Sequence, residues 1–198
     1  MRNQKWVTGM VALCLASATL LNAQAEEKKM IADFNAPSPN NVNGDFGAFS
    51  PNPDERVFLC NESLDETIRQ GSTGSSLRLT YNVDNGGAYN GFWLKFGPAD
   101  TTFDGSAYTK VTFWIRGDSK VGIPNKIKVE LKSAGKIASH YVGEITGDWK
   151  KIEIPLSEIS KAGVDLSKLT EMTFVFEQRY ASPGTVGAIN IDDIALEK

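Results

Sequence analysis

Trp114 and Arg116 stand two residues apart in the stretch Lys-Val-Thr-Phe-Trp-Ile-Arg of residues 110–116, alternating with Val111, Phe113 and Ile115. In an extended strand this spacing sends the indole and the guanidinium out of one face about 7 Å apart, and the apolar side chains out of the other. A flat apolar ring beside a fork of hydrogen-bond donors suits a ligand ring with a C–H face and hydroxyl edges. Trp93 repeats the pattern in residues 91–96, opposite Phe92, Leu94 and Phe96 and next to Lys95. Glu130 and Glu177 share that outward parity in their own segments and add acceptors. Tyr89 and Tyr141, each close to glycine, are further stacking candidates. The competing role for the two tryptophans is packing beneath a loop such as residues 35–54, and for Tyr141 it is packing at a rim.

Residues 189–196 carry a different signal. Ile189 and Ile191 are apolar at odd positions, Ile194 and Leu196 at even ones, so the phase slips by one at Asp192-Asp193. A β-bulge there restores core alignment on both sides. It also turns one carboxylate inward, where an unpaired charge is costly and a cation is welcome. Asp193 is the first choice for that carboxylate and Asp192 the second.

Nucleophilic and acid–base chemistry find little support. His140 is the only histidine and has no Ser/Asp or Cys pattern around it. Adjacent Asp192 and Asp193 do not form the pair of acids about 5–10 Å apart that a glycosidase sets across a cleft. Residues 71–74, Gly-Ser-Thr-Gly, lack the lysine of a phosphate loop and read as a turn. Cys60 reads as a small buried hydrophobe and Trp149 as a residue at the edge of the core.

The elements that must position these side chains are strands. Residues 76–83, 91–96, 110–116, 126–132, 150–156 and 171–177 all alternate apolar and polar side chains. Turn residues separate them: Asp84-Asn85-Gly86-Gly87, Gly117-Asp118, Ser133-Ala134-Gly135 and Gly147-Asp148. Helical patterning is confined to about a turn at 156–162 and at 166–170. Short strands between turns predict an all-β chain, an antiparallel β-sandwich of jelly-roll type. Residues 35–54, rich in Asn, Pro and Gly, read as a long surface connection.

Composition narrows the partners. With 21 Lys+Arg against 24 Asp+Glu, the 198-residue chain has no basic excess to neutralise a phosphate backbone, which argues against nucleic acid. One His and two Cys are too few for most zinc sites or a disulfide framework. Arg2 and Lys5, an apolar run from Trp6 to Leu21 and Ala23-Gln24-Ala25 predict a secretory signal peptide over residues 1–25. The run is too short to be a membrane span. Leu13 before Cys14 disfavours a lipoprotein signal. Residues 26–198 then form a single domain, secreted or periplasmic, that folds without a disulfide.

Four segments occur in order: Met30-Ile-Ala-Asp-Phe34, Thr112-Phe-Trp-Ile-Arg-Gly-Asp118, Gly147-Asp-Trp-Lys-Lys-Ile-Glu-Ile-Pro-Leu156 and Ile189-Asn-Ile-Asp-Asp-Ile194. Together they resemble the galactose-binding-like jelly rolls of carbohydrate-binding module family 11, and the related complex I intermediate-associated protein 30 family shares the outline. The resemblance implies β-glucan-type polysaccharide or oligosaccharide binding on one sheet face, no catalysis, and a structural Ca²⁺ near the chain ends. Carried onto this chain, that ion falls to oxygens of Asp33 and Asn35 with Asp193 or Asp192. Asn35 stands where an acidic residue usually follows Asp-Phe, which removes one negative charge from the site. The implied protein is an exported, non-catalytic carbohydrate binder that hands polysaccharide to a separate glycoside hydrolase. Residues 40–48, Asn-Asn-Val-Asn-Gly-Asp-Phe-Gly-Ala, keep open the second family's reading, a structural or protein-interaction jelly roll without a sugar ligand.

Overall fold

The computed structural model describes residues 27–51 and 58–198. The segment read as a signal peptide, with Cys14, lies outside the described residues. In chain order the strands are β1 (Lys28–Ala32), β2 (Phe46–Phe49), β3 (Cys60–Asp65), β4 (Ser76–Asn82), β5 (Tyr89–Lys95), β6 (Lys110–Gly117), β7 (Lys126–Ser133), β8 (Lys136–Gly143), β9 (Lys150–Pro155), β10 (Glu171–Glu177) and β11 (Val186–Glu197). Two short helices, α1 (Leu156–Lys161) and α2 (Gln178–Ala181), follow β9 and β10.

Period-two alternation dictates two layers, because each strand has one apolar face to bury. A six-stranded sheet runs β3-β4-β11-β6-β9, with β1 also paired to β11, and a five-stranded sheet runs β2-β5-β10-β7-β8. The strand pairings are antiparallel. Leu77, Leu79, Phe113, Ile115, Ile189 and Ile191 face inward from the first sheet; Phe92, Leu94, Ile127, Val129, Leu131, Phe174 and Phe176 face inward from the second. The layers interlock through aromatic pairs. Phe113 meets Phe174 edge-on at 5.2 Å between ring centroids, and Tyr81 stacks on Phe176 at 4.0 Å.

The phase slip at Asp192-Asp193 is a register shift in the β11–β6 pairing between Asp192 and Ala195. Asp193 takes the bulged position with φ +50°. Ile191 before it and Ile194 after it are both fully buried, so the bulge does restore the core alignment. Asp192, the second choice for an inward carboxylate, differs from the expectation. Asp192 pairs with Trp114, whose side chain leaves the outer face of the six-stranded sheet, so Asp192 points away from the core. It is nevertheless only 3 % exposed.

Residues 35–54 are more than a surface connection. Phe46–Phe49 pair with Leu94–Gly91 as β2, the edge of the five-stranded sheet. Phe46 and Ala48 pack against the core. Asn40 ties the preceding loop down: its amide donates to Lys95 O at 2.8 Å, and its Oδ1 accepts from Gly44 N at 2.9 Å. The strand β8 escapes period-two reading because only Ala138 and Val142 of its side chains are buried.

Gly91 sits where two strands and a ring converge. A Cβ there would stand 2.0 Å from Phe174 O and 2.9 Å from Phe49 Cε1. Gly91→Ala is expected to cost on the order of 3 kcal/mol, because the clash is with the backbone of the neighbouring strand. Gly86→Ala, with nothing within 4 Å of the added carbon, should stay within about 0.5 kcal/mol of wild type. Denaturant midpoints of the two variants check both values.

Candidate functional site

The register of the five-stranded sheet places its outward side chains in rows. Gly47, Trp93, Thr173, Glu130 and Ser139 form one row across β2, β5, β10, β7 and β8; Lys95, Glu171, Lys132 and Ile137 form the row beside it. On the other side lie Phe49, Gly91, Val175, Lys128 and Tyr141, then Tyr89 opposite Glu177. Phe49, Tyr89, Trp93, Lys95, Glu171 and Thr173, with Lys128, Glu130, Lys132 and Val175, line a groove of about 410 Å³, and Tyr141 and Glu177 lie beside it on the same face.

The floor is flat for a steric reason. A Cβ on Gly47 would lie 3.3 Å from Trp93 Cζ2, so the indole rests over Gly47 on the neighbouring strand. Phe49 lies across Gly91 in the same way. Two glycines opposite two large rings let both rings lie against the sheet instead of standing off it. Lys95 Nζ sits 5.6 Å from the Trp93 ring centroid. Tyr89 lies four residues from Trp93, roughly 13 Å along the strand, a span longer than one sugar ring.

Charges of alternating sign cross the groove. Lys95 pairs with Glu171, which also receives Lys132 at 2.7 Å. Lys132 reaches Glu130 at 3.7 Å, Glu130 receives Lys128 at 2.9 Å, and Lys128 lies 3.5 Å from Glu177. Burial works against ionisation of Glu171, but hydrogen bonds from Lys132 and Lys95 outweigh it and hold the carboxyl below its usual value. At the far end Glu177 Oε2 is buried and has no hydrogen-bond partner. Beside it Arg179 lies over the Tyr180 ring, 4.4 Å from its centroid, and Tyr180 packs against Tyr141 at 4.7 Å.

Of the candidate ligand-binding residues, Trp93, Tyr89, Tyr141 and Glu177 therefore share one face. Trp114 and Arg116 leave the other sheet on the opposite side of the molecule. There Trp114 is flanked by Asp192 and Lys151, and Arg116 by Asn190, which in turn neighbours Arg78. Asn190 and Asp192 point outward yet are 1 % and 3 % exposed, so this face is covered over those two residues, while Trp114 and Arg116 beside them are half-buried, as Trp93 is. The cover is the segment between β3 and β4 rather than residues 35–54. Gln70 N donates to Asp192 Oδ2 at 2.8 Å, and Ser76 Oγ donates to Ile68 O. Arg116 Nε is buried without a hydrogen-bond partner.

Sequence reading placed Lys95 beside Trp93 but missed Phe49, Gly47, Tyr180, Lys128, Lys132 and Glu171 as parts of the site. Parity already placed Lys128, Lys132, Glu171 and Thr173 outward; what it lacked was the lateral order of the strands. Cys60 is buried at the edge of the six-stranded sheet, and burial pushes its thiol up to about 12, which keeps it protonated. His140 Nδ1 lies 3.3 Å from Glu158 Oε2, and Trp149 is half-buried before β9.

The four metal candidates gather at the β1–β11 junction, but not as one cage. Among the described residues, no group of three or more His, Cys, Asp or Glu side chains is placed to hold a metal ion by itself. Asp33 accepts from Asn35 N and from the Asn41 amide, and Asn35 Oδ1 accepts from Ser75 N. Burial pushes Asp192 up to about 6, with the charges of Asp193 and Asp33 adding to the effect against the N–H bonds it accepts. Burial also raises Asp193, opposed by Lys28.

Comparison with known proteins places this architecture. Residues 18–165 match the family described as carbohydrate binding domain (family 11), and the chain belongs to that family. Among solved structures it resembles the family 11 module of Clostridium thermocellum in complex with a β-1,3-1,4-mixed-linked tetrasaccharide, at 18 % identity and a TM-score of 0.59 over 86 % of this chain and 95 % of that one. The family 30 carbohydrate-binding module of a cellulosomal cellulase of the same organism matches at 21 % identity and TM-score 0.58, covering 86 % and 97 %. The CBM27-1 module of Caldicellulosiruptor saccharolyticus in complex with mannohexaose matches at 16 % and 0.54, covering 87 % and 98 %. No curated protein matches the sequence. The shared fold is the jelly-roll β-sandwich.

Asp192 makes stability depend on pH in a defined direction. Its folded-state pKa is raised, so between pH 4 and 6 the folded chain holds a proton that the unfolded chain has released. Rising pH through that window costs stability, and the cost is complete above about pH 6. In chelator, the melting temperature of Asp192→Asn relative to wild type should therefore be more favourable at pH 7.5 than at pH 4. A pH-independent difference between the two proteins would contradict the assignment.

Proposed function

We propose that this chain is an exported, non-catalytic carbohydrate-binding protein that lays a β-glucan-type chain along the outer groove of the five-stranded sheet. The observation that carries the reading is the flat floor of Trp93 and Phe49, held down over Gly47 and Gly91 and left open beside paired polar groups. Sugar C–H faces pack on such rings, and hydroxyls bridge the lysine donors and glutamate acceptors at their edge. Glu177, whose Oε2 is buried, serves this surface by holding Lys128 at 3.5 Å. Tyr89 and the Tyr141–Tyr180 pair extend the contact surface. The mixed-linkage tetrasaccharide bound to the Clostridium module supports the choice of ligand class.

Trp114 and Arg116 take a packing role in this reading, because the face they leave is covered over the neighbouring Asn190 and Asp192. Polysaccharide held this way is delivered to a separate glycoside hydrolase. The alternative, an interaction domain without a sugar ligand, calls for covered or charged outer faces; the charges of the Trp93 groove are compatible with it, and the open aromatic floor beside them favours the sugar reading. Among the described residues no helix is long and apolar enough to cross a membrane.

The β1–β11 junction completes the proposal. Its donors are carboxylate and amide oxygens, the hard ligands that suit Ca²⁺. A cation there would use two of the carboxylates of Asp33, Asp192 and Asp193 and fill its shell with amide or main-chain oxygens. It would relieve the charge repulsion that raises Asp192 and tie the first strand to the last.

Two outcomes follow. Trp93→Ala should weaken binding to mixed-linkage β-glucan about tenfold or more, while Trp114→Ala should change it less than about twofold per folded molecule; calorimetric titration separates the two, and the reverse ranking would move the site to the other sheet. Millimolar Ca²⁺ should raise the melting temperature above its value in chelator, and identical melting curves would remove the ion from the account.

A further inference from the structure

The groove floor is charged and paired along its length, with four cations against three carboxylates. Seven ionisable side chains alternate in sign from Lys95 through Glu171, Lys132, Glu130, Lys128 and Glu177 to Arg179, each within 4 Å of the next. The glutamate side chains are 13–18 % exposed and lie in the floor of the groove, while Lys95 at its Trp93 end is 43 % exposed and open to a ligand. Glu171 holds the central place at the Trp93 end, because it alone pairs with both Lys95 and Lys132.

Such a ladder treats ligands unequally. A neutral hydroxyl donates to a glutamate oxygen and accepts from an ammonium without displacing either from its partner. A carboxylate or sulfate on the ligand must share Lys95 or Lys132 with Glu171, and it then stands beside Glu171 and Glu130. Like-charge juxtaposition in a partly desolvated site weakens binding of that ligand. Resting on the reading of this groove as a glycan surface, we propose that the ladder selects uncharged polysaccharide, and that Glu171 is the specificity-determining residue that keeps Lys95 and Lys132 from recruiting polyanions. Glu130 supports it by occupying the other side of Lys132. The device works by repulsion against the wrong ligand, in addition to attraction for the right one.

The test uses the full chain, mixed-linkage β-glucan as the neutral probe and polygalacturonate as the acidic one, each titrated at low salt and at about 0.5 M salt. Wild type should bind β-glucan with little change between the two salt conditions and should not bind polygalacturonate. Glu171→Gln keeps the shape of the side chain, removes its charge, takes the carboxylate from Lys95 and leaves Lys132 only its longer pairing with Glu130. It should gain at low salt at least about tenfold in affinity for polygalacturonate, a gain erased at high salt. Glu130→Gln should show the same effect more weakly, and circular dichroism confirms that both variants fold.

Binding of polygalacturonate by wild type, or no gain in either folded variant, overturns the ladder as selector. The acidic-polymer arm decides this by itself. Loss of β-glucan binding in wild type, with the gain in Glu171→Gln intact, would instead overturn the proposed neutral ligand and leave the ladder standing.

Discussion

The antiparallel register of β5 against β10 governs everything that happens on this molecule's open face. Trp93 lies opposite Thr173, Lys95 opposite Glu171 and Tyr89 opposite Glu177, and each of those pairs serves the groove. The residues between them, Phe92 and Phe174, are directed into the core, where Phe174 meets Phe113 of the other sheet. Core and site are two sides of the same pairing. A slip of one residue would bury Trp93 and Lys95 and expose two phenylalanines, so the hydrophobic effect that fixes the core also fixes the site.

The two outer faces begin alike, each with a tryptophan and a basic residue two positions apart, and end differently. On the six-stranded sheet the β3–β4 segment is pinned down by Asp192 and Ser76, which puts polar outward groups out of reach of solvent. On the five-stranded sheet Trp93 stays at the floor of a groove. Which face is open is thus decided by a loop anchored through hydrogen bonds to a bulged strand, not by the composition of either face. The charge pairs of the open face are individually of the kind that contribute little in water. Joined in one chain and half-buried, they hold one another in place and define the groove's polarity.

Much of this was legible in the chain. Alternation identified six strands and the inward set of each, because burial of one face leaves a period-two trace whatever the partner. The phase slip at Asp192-Asp193 announced the bulge, since a core stripe cannot change parity without an inserted residue. Parity also placed Trp93, Trp114, Arg116 and Glu177 outward. Parity does not say in which sheet a strand lies, and pairing here is long-range: β5 finds β10, and β6 finds β11 and β9. Trp114 and Trp93 therefore looked equivalent. The four-residue β2 was hidden in a segment rich in Asn and Gly, and with it Phe49 and the space that Gly47 leaves for the indole. Tyr180 belongs to a single helical turn that no pattern marks.

The central claim is that glycan meets the Trp93 face and not the Trp114 face. Two-dimensional NMR of the tryptophan indole N–H groups during titration with a β-1,3-1,4-linked tetrasaccharide reads this directly, because each indole reports its own surroundings. The account predicts a progressive, saturable shift of the Trp93 resonance, with those of Trp114 and Trp149 unmoved. A shift of Trp114 with Trp93 stationary would contradict it and transfer the binding site to the six-stranded sheet.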